Sequence, residues 1–238
     1  IAERLDAAVV QITTTVENNF LDAVLHGALC EQLAHGLRRV DVHHVLREVD
    51  VEGRVCAGDL RTLVQRADEL QVMPEMVYEP LGQFAQLGES VVATLDRLSF
   101  VDLDLLRRSY WASMESALRR PLQGQLLIDK NPELTMLLPL VARVFPEMRI
   151  IFAVRDPRDV VLSCFMQRLP LNAVSVHYLS LTATAEKYAR TMRAWLKLRD
   201  VVKNPWLEVR YEETVFDLPG QARRVLEFLD LPWDDAVI

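Results

Sequence analysis

The feature that most constrains this 238-residue sequence is a strand-turn-helix pattern in residues 149–163. Residues 150–154 are five consecutive apolar residues, rich in β-branched types. Such a run is short for a helix and is typical of a strand buried on both faces of a parallel sheet. Asp156 is a good helix N-cap and Pro157 is favoured at the first helical position, so we expect a helix to begin there. The pattern therefore predicts an α/β fold.

The turn after this strand has the properties of an anion site. In open α/β sheets ligands bind at the carboxyl ends of strands, and Arg155 lies at such an end. A helix that begins there offers backbone N–H groups and the positive end of its dipole, and Ser163 could add a hydroxyl two turns later. The alternative is a solvated salt-bridge cluster of Arg155, Asp156, Arg158 and Asp159 at the start of a surface helix.

Two further strands are predicted around this unit. Residues 125–128 form a short apolar run that ends in polar residues, and residues 134–145 read as the helix that connects this strand to strand 150–154. Residues 206–210 read as a third strand, with Tyr211 at its end. Long helical patterns cover residues 182–202 and the segment after Leu218. The sequence thus predicts a parallel sheet flanked by helices.

The beginning of the chain differs in composition, because no proline precedes Pro74. Apolar residues at three- and four-residue spacings, from Leu5 through Val9, Ile12 and Val16, favour helices. A further helix is predicted from Asp59 to about residue 70. We therefore predict a helical N-terminal region over residues 1–73 and an α/β domain over residues 74–238.

Composition excludes several classes of function. The net charge of −7 offers no footprint for nonspecific nucleic-acid binding, and no apolar run approaches the length of a membrane span. Three widely spaced cysteines argue against a disulfide framework and a metal cluster, so we expect a reducing, cytoplasmic location and no metal. The pair Gly53 and Gly58 has the spacing of a P-loop, but Asp59 would repel phosphate where a lysine should follow.

Four ordered segments between residues 99 and 238 resemble the sulfotransferases that use 3′-phosphoadenosine 5′-phosphosulfate (PAPS). The similarity is greatest to the bacterial branch that carries tetratricopeptide repeats and is related to tyrosylprotein sulfotransferases. No 34-residue repeat is found in this chain. The segments are residues 129–132 (Asp-Lys-Asn-Pro), the helix 134–145, residues 155–163 (Arg-Asp-Pro-Arg-Asp-Val-Val-Leu-Ser), and residues 209–213 (Val-Arg-Tyr-Glu-Glu) followed by a helix and Leu-Pro-Trp-Asp at 231–234.

The resemblance implies a role for each matching residue. Arg155 and Ser163 would bind the 3′-phosphate of the nucleotide, Tyr211 would contact the nucleotide, and Lys130 would stabilise the leaving group. Weaker candidates for cofactor binding are Arg158 and Arg168. Lys130 has the alternative of a surface lysine in a turn, and Tyr211 that of a packing tyrosine. The general base is expected to be a glutamate, for which Glu79 in a Val-Tyr-Glu-Pro loop has the right order in the chain.

The sequence departs from the family at the loop that holds the 5′-phosphosulfate, a Pro-Arg-Ser-Gly-Thr-Thr-like turn, which it lacks. We expect this loop and a closing C-terminal segment to belong to a longer chain. The main hypothesis is a sulfotransferase acting on a hydroxyl or amine of a small-molecule or peptide acceptor. The alternative is a noncatalytic nucleotide-binding or interaction module. A kinase-like transferase ranks last because no Gly-Lys-Ser/Thr loop is present.

Overall fold

The computed structural model of the chain describes residues 8–14, 64–68, 84, 86–119, 126–167, 171–172 and 174–233. Its centre is a five-stranded sheet whose strands lie in the order β2-β3-β1-β4-β5, and all neighbouring strands are parallel. The strands are β1 (Ala8–Thr14), β2 (Val64–Asp68), β3 (Leu126–Lys130), β4 (Arg149–Val154) and β5 (Trp206–Arg210). The predicted parallel α/β fold is confirmed.

The central strand β1 and the edge strand β2 lie where helices are predicted from the sequence. The prediction of helices over residues 1–73 is wrong for Ala8–Thr14 and Val64–Asp68, which are strands hydrogen-bonded into the same sheet as β3. In β1 the apolar spacing of Val9 and Ile12 fits a helix, but β-branched residues dominate and the strand is paired on both sides. β2 has no alternating pattern from which a strand could be read. The other residues of the 1–73 region lie outside the described residues.

Seven helices are described around the sheet. They are α1 (Val91–Arg97), α2 (Phe100–Leu118), α3 (Leu138–Val144), α4 (Pro157–Met166), α5 (Leu181–Leu198), α6 (Tyr211–Phe216) and α7 (Leu218–Phe228). Short 3₁₀ helices occupy Pro132–Leu137 and Ser175–Tyr178. The predicted helix 134–145 is therefore divided into a 3₁₀ turn and α3. Pro139 explains the division, because it cannot donate the backbone hydrogen bond that a continuous helix would need.

The two faces of the sheet are covered by different helices. On one face, Leu127, Ile150 and Phe152 pack with residues of α2, α3 and α5, and the Phe152 ring stacks on Trp195 with centroids 4.1 Å apart. On the other face, Ile128, Ile151, Ala153 and Val209 pack with Val225 of α7 and the adjoining Leu229. Burial on both faces is what the apolar run of β4 predicted.

Asn204 fixes the amino end of β4 relative to β5. Its buried side-chain amide donates to the carbonyls of Phe145, Pro146 and Met148, at 2.8, 3.2 and 3.0 Å. The backbone N–H of Ile150 donates to the carbonyl of Pro205 at 2.9 Å. From this anchor the register runs from Ile150 opposite Trp206 to Val154 opposite Arg210.

The strand order places the topological switch point of the sheet at the carboxyl ends of β1 and β4. The chain leaves β1 for β2 on one side of the sheet, and leaves β4 for β5 on the other side. Adjacent strands whose connections diverge in this way mark the topological switch point, where ligands bind in open parallel sheets. Lys130, Arg155 and Tyr211 all lie at this edge, since each ends or directly follows its strand.

Candidate functional site

Arg155, the first residue after β4, is held between a ring and a carboxylate. Its guanidinium carbon lies 4.5 Å from the centroid of the Tyr211 ring, and Nη2 donates to Asp159 Oδ2 at 3.1 Å. The Nε atom is buried and has no hydrogen-bond acceptor among the described residues. A buried N–H of a cation without an acceptor is costly, so the site is well suited to an anion that supplies one.

The beginning of α4 is filled by the protein's own carboxylates. Asp156 caps the helix by accepting the backbone N–H of Arg158 at 2.8 Å. Glu212 Oε1 accepts the backbone N–H of Asp156, also at 2.8 Å. The expectation that this helix offers its first N–H groups to a ligand is therefore wrong for the backbone N–H groups of Asp156 and Arg158. An anion at this edge would depend on side chains rather than on the helix terminus.

Arg158 is directed toward Asp156. Its Nε and Nη2 atoms donate to the two oxygens of Asp156 at 3.0 and 2.7 Å, and 89% of its side chain is exposed. The hydrogen bonds from the Arg158 side chain are the main cause that lowers the pKa of Asp156 to about 2. The predicted salt-bridge cluster is thus present and coexists with the stacked Arg155.

Ser163 lies on α4 at the spacing the sequence predicted. Asp159 and Ser163 are four residues apart, so they share a face of α4, and Asp159 binds Arg155. Ser163 is partly buried, whereas Val160 and Cys164 form the buried face of the same helix. Ser163 therefore shares a helix face with Asp159, the residue that binds Arg155, and lies outside the buried face of α4.

Lys130 at the end of β3 is buried, with 3% of its surface exposed. Its neighbours Asp129 and Asn131 are buried as well, so the alternative of a surface lysine in a turn is wrong. The buried hydroxyl of Tyr110 donates to Asp129 Oδ2 at 3.0 Å. Burial raises the pKa of Tyr110, and the negative charge of Asp129 raises it further.

Lys130 and Arg155 lie at different points along the same edge. Through Ile12 of β1, Lys130 is level with Ile151 of β4, which is four residues before Arg155. Two strand spacings and four residues of strand separate the two Cα atoms by about 16 Å. Two long cationic side chains at that separation suit the two ends of an extended anionic molecule.

Three groups of this site were not recognised from the sequence: Tyr110, Asp129 and Glu212. Glu212 directly follows Tyr211 and could have been noticed as its neighbour, but its partner depends on strand register. Two of the predicted candidates, Glu79 and Arg168, lie outside the described residues, as do the residues that follow β1. Their predicted roles stay predictions.

Metal and membrane features can be judged only within the described part of the chain. There, no three His, Cys, Asp or Glu side chains come together as a metal site, and no helix has the length and apolar character to cross a bilayer. Cys164 is buried and forms no disulfide bond with another described residue. The predicted reducing compartment and the absence of a metal remain predictions.

Comparison with known proteins gives consistent matches. One relative is a protein-tyrosine sulfotransferase of Drosophila melanogaster, 28% identical over 120 residues, which are 47% of this chain and 22% of the relative. Protein-tyrosine sulfotransferase A of Caenorhabditis elegans is 26% identical over 113 residues, 47% of this chain and 29% of the relative. The matched segments thus span less than a third of these relatives.

Among solved structures, the sulfotransferase domain from the curacin biosynthetic pathway aligns with 98% of this chain and 77% of its own. The TM-score is 0.48 and the identity is 15%. The Sulfotransferase family model matches residues 63–235, which is well over half of the chain and includes β2 to β5, Lys130, Arg155, Ser163 and Tyr211. The chain therefore belongs to the Sulfotransferase family.

Proposed function

We propose that this chain is the nucleotide-binding part of a sulfotransferase that moves a sulfuryl group from PAPS to a hydroxyl or amine acceptor. The observation that carries the proposal is Arg155. It lies at the switch point of the sheet, stacked on Tyr211, with a buried Nε that lacks an acceptor among the described residues. Such a guanidinium fits a phosphate group at the end of a nucleotide.

In this proposal Arg155 and Ser163 bind the 3′-phosphate, and Tyr211 keeps the guanidinium oriented toward it. The phosphate oxygens would accept hydrogen bonds from Nε and from the Ser163 hydroxyl. Because Arg155 is already stacked, little side-chain entropy is lost when the nucleotide binds. Arg158 contributes positive potential near the site, but its donors are directed to Asp156.

Lys130 would act at the other end of the nucleotide. During transfer the bond between sulfur and the bridging phosphate oxygen breaks, while a bond from the acceptor oxygen or nitrogen to sulfur forms. Negative charge grows on the leaving phosphate, and a buried ammonium stabilises it more strongly than an exposed one would. The acceptor's proton passes to a general base, for which Glu79 is the proposed residue.

The acceptor is proposed as a class. The named relatives are protein-tyrosine sulfotransferases, so a tyrosine-containing peptide is the first acceptor to test, followed by small hydroxylated and amine compounds. The tetratricopeptide-associated branch and a cytoplasmic location stay part of the proposal. The test of an acceptor is the transfer of labelled sulfate from PAPS by the full-length protein.

Calorimetric titration of adenosine 3′,5′-bisphosphate, the product nucleotide, tests the nucleotide site itself. Arg155→Ala should weaken binding by about 1.5–3 kcal/mol, which is roughly tenfold to hundredfold, because a charge-assisted contact is lost. Arg108→Ala is the matched control, since Arg108 also pairs with an aspartate four residues away, Asp104, but on α2. Equal affinities of wild type and Arg155→Ala would contradict the assignment. No binding to the wild type would contradict the function.

A further inference from the structure

The turns that follow β4 and β5 are joined at two consecutive positions. The register of the two strands pairs Val154 with Arg210. Continued by one residue it pairs Arg155 with Tyr211, and by two residues it pairs Asp156 with Glu212. Both continued pairs make contact, the first through the stacked guanidinium at 4.5 Å and the second through the 2.8 Å hydrogen bond.

We infer that Glu212 is a positioning residue for the nucleotide site, which acts by holding the backbone of Asp156 so that Arg155 stays on Tyr211. The inference rests on the proposed nucleotide site. Nothing in the resemblance or in the family match assigns a role to Glu212. Its side chain binds a backbone N–H rather than another side chain, so it fixes the path of the chain immediately after Arg155.

The position of this hydrogen bond explains its effect. Pro157 directly follows Asp156. Its ring fixes its own φ and it has no backbone N–H, so the turn has few backbone donors for hydrogen bonds to neighbouring segments. The Asp156 side chain is used to cap α4. The backbone N–H of Asp156 is then the donor that can link this turn to the segment after β5. The acceptor is the carboxylate of Glu212, which lies in the first turn of α6.

The charge of Glu212 works in the opposite direction from its hydrogen bond. A carboxylate close to the site repels an incoming phosphate, whereas the hydrogen bond positions the cation that attracts it. Helix α6 also gains from an acidic residue in its first turn, which Glu212 and Glu213 both provide. The bond and the charge can therefore be separated by choice of substitution.

Four variants of the full-length protein separate these effects. Glu212→Ala removes the bond and the charge, Glu212→Gln keeps an acceptor oxygen without the charge, and Glu212→Asp keeps the charge but is one methylene too short. Glu213→Ala is the matched control, because Glu213 is the neighbouring glutamate and its carboxylate lies 3.9 Å from Arg210 Nε instead. The probe is adenosine 3′,5′-bisphosphate in calorimetry.

The expected pattern is specific to positioning. Glu212→Ala and Glu212→Asp should each weaken binding roughly tenfold, the loss of one charge-assisted hydrogen bond. Glu212→Gln and Glu213→Ala should bind as well as the wild type or better. In an Arg155→Ala background, Glu212→Ala should cause less than about a twofold further loss, since the two residues act as one unit.

A measurement without nucleotide keeps the inference separate from the proposed function. Hydrogen exchange of the Asp156 amide, followed by NMR, should be faster in Glu212→Ala and Glu212→Asp and unchanged in Glu212→Gln. Unchanged exchange in all variants, or an equal loss of affinity with and without Arg155, overturns the inference while the function stands. If exchange is faster in these variants but the wild type binds no nucleotide, both the proposed function and the role of Glu212 in nucleotide binding are overturned.

Discussion

The hydrogen bond between Tyr110 and Asp129 allows a test of how much the buried polar residues at the carboxyl end of β3 contribute to stability. Tyr110→Phe removes one hydroxyl that donates at 3.0 Å to a buried carboxylate. The ring contacts stay, because Phe keeps the edge-to-face packing on Phe145 and Trp111, at 5.0 and 5.5 Å between centroids. No cavity larger than an oxygen atom is created, so the loss is that of the hydrogen bond.

A hydrogen bond to a charged group contributes about 1.5–3 kcal/mol, so the free energy of unfolding should fall by that amount. For a chain of this length each kcal/mol corresponds to roughly 2–4 °C in Tm. Urea unfolding and calorimetry would measure both. Tyr188→Phe is the matched control: Tyr188 is half-buried, and its hydroxyl has no hydrogen-bond partner among the described residues, so the change should stay under about 0.5 kcal/mol.

The pH dependence supplies a second criterion. The folded pKa of Tyr110 lies well above its ordinary value of 10.0, with burial as the largest cause. A raised pKa contributes stability below the ordinary pKa, and this contribution is lost as pH rises above about 10. The stability difference between wild type and Tyr110→Phe should therefore narrow in alkaline solution. A loss below about 0.5 kcal/mol at neutral pH would refute the reasoning.

Two other predictions concern the pairs around Arg155. Asp159→Asn should tighten the binding of adenosine 3′,5′-bisphosphate about twofold to fivefold in calorimetry at low salt, because an exposed carboxylate that competes with phosphate for Nη2 is neutralised; weaker binding would show that Asp159 orients Arg155 instead. Arg158→Ala should raise the carboxyl pKa of Asp156 from about 2 toward its ordinary 3.8, as followed by NMR titration. Since a lowered pKa contributes stability that is lost as pH falls toward 2, the variant should also unfold at a higher pH in acid. An unchanged pKa would contradict the assignment of Arg158 as its cause.

The sequence predicted the parts of the fold that are determined locally. The apolar run of β4 is buried on both faces, and Asp156-Pro157 begins α4 as its capping chemistry requires. β1 was missed because Ala-Val-Val-Gln-Ile-Thr-Thr does not alternate strictly between apolar and polar residues, and the spacing of Val9 and Ile12 also fits a helix. β2 was missed for the opposite reason, since Val-Gln-Arg-Ala-Asp has too few apolar residues to favour a strand.

In the candidate site, too, the residues determined by local sequence were predicted and those that depend on distant contacts were not. Arg155, Lys130 and Tyr211 were found because each lies at the end of a readable strand. The burial of Lys130 and its neighbour Asp129 could not be predicted, because it depends on contacts between distant segments, such as the one from Tyr110 of α2 to Asp129. Glu212 was not identified, since its bond to Asp156 follows from the alignment of two strands that are 56 residues apart in the chain.

Asn204 has a consequence for how variants of this protein should be interpreted. Its hydrogen bonds hold the amino end of β5 against the residues that precede β4, and the same register places Arg155 opposite Tyr211 at the carboxyl end. A slip by one residue would turn the side chains of one strand to the other face and bring Glu212 or Arg210 beside Arg155. If a substitution at Asn204 lets the register slip, the proposed nucleotide binding should weaken although Asn204 lies at the opposite end of the strands. A screen for loss of binding would mark Asn204 as a ligand contact, although its side chain binds backbone carbonyls at the amino end of β4.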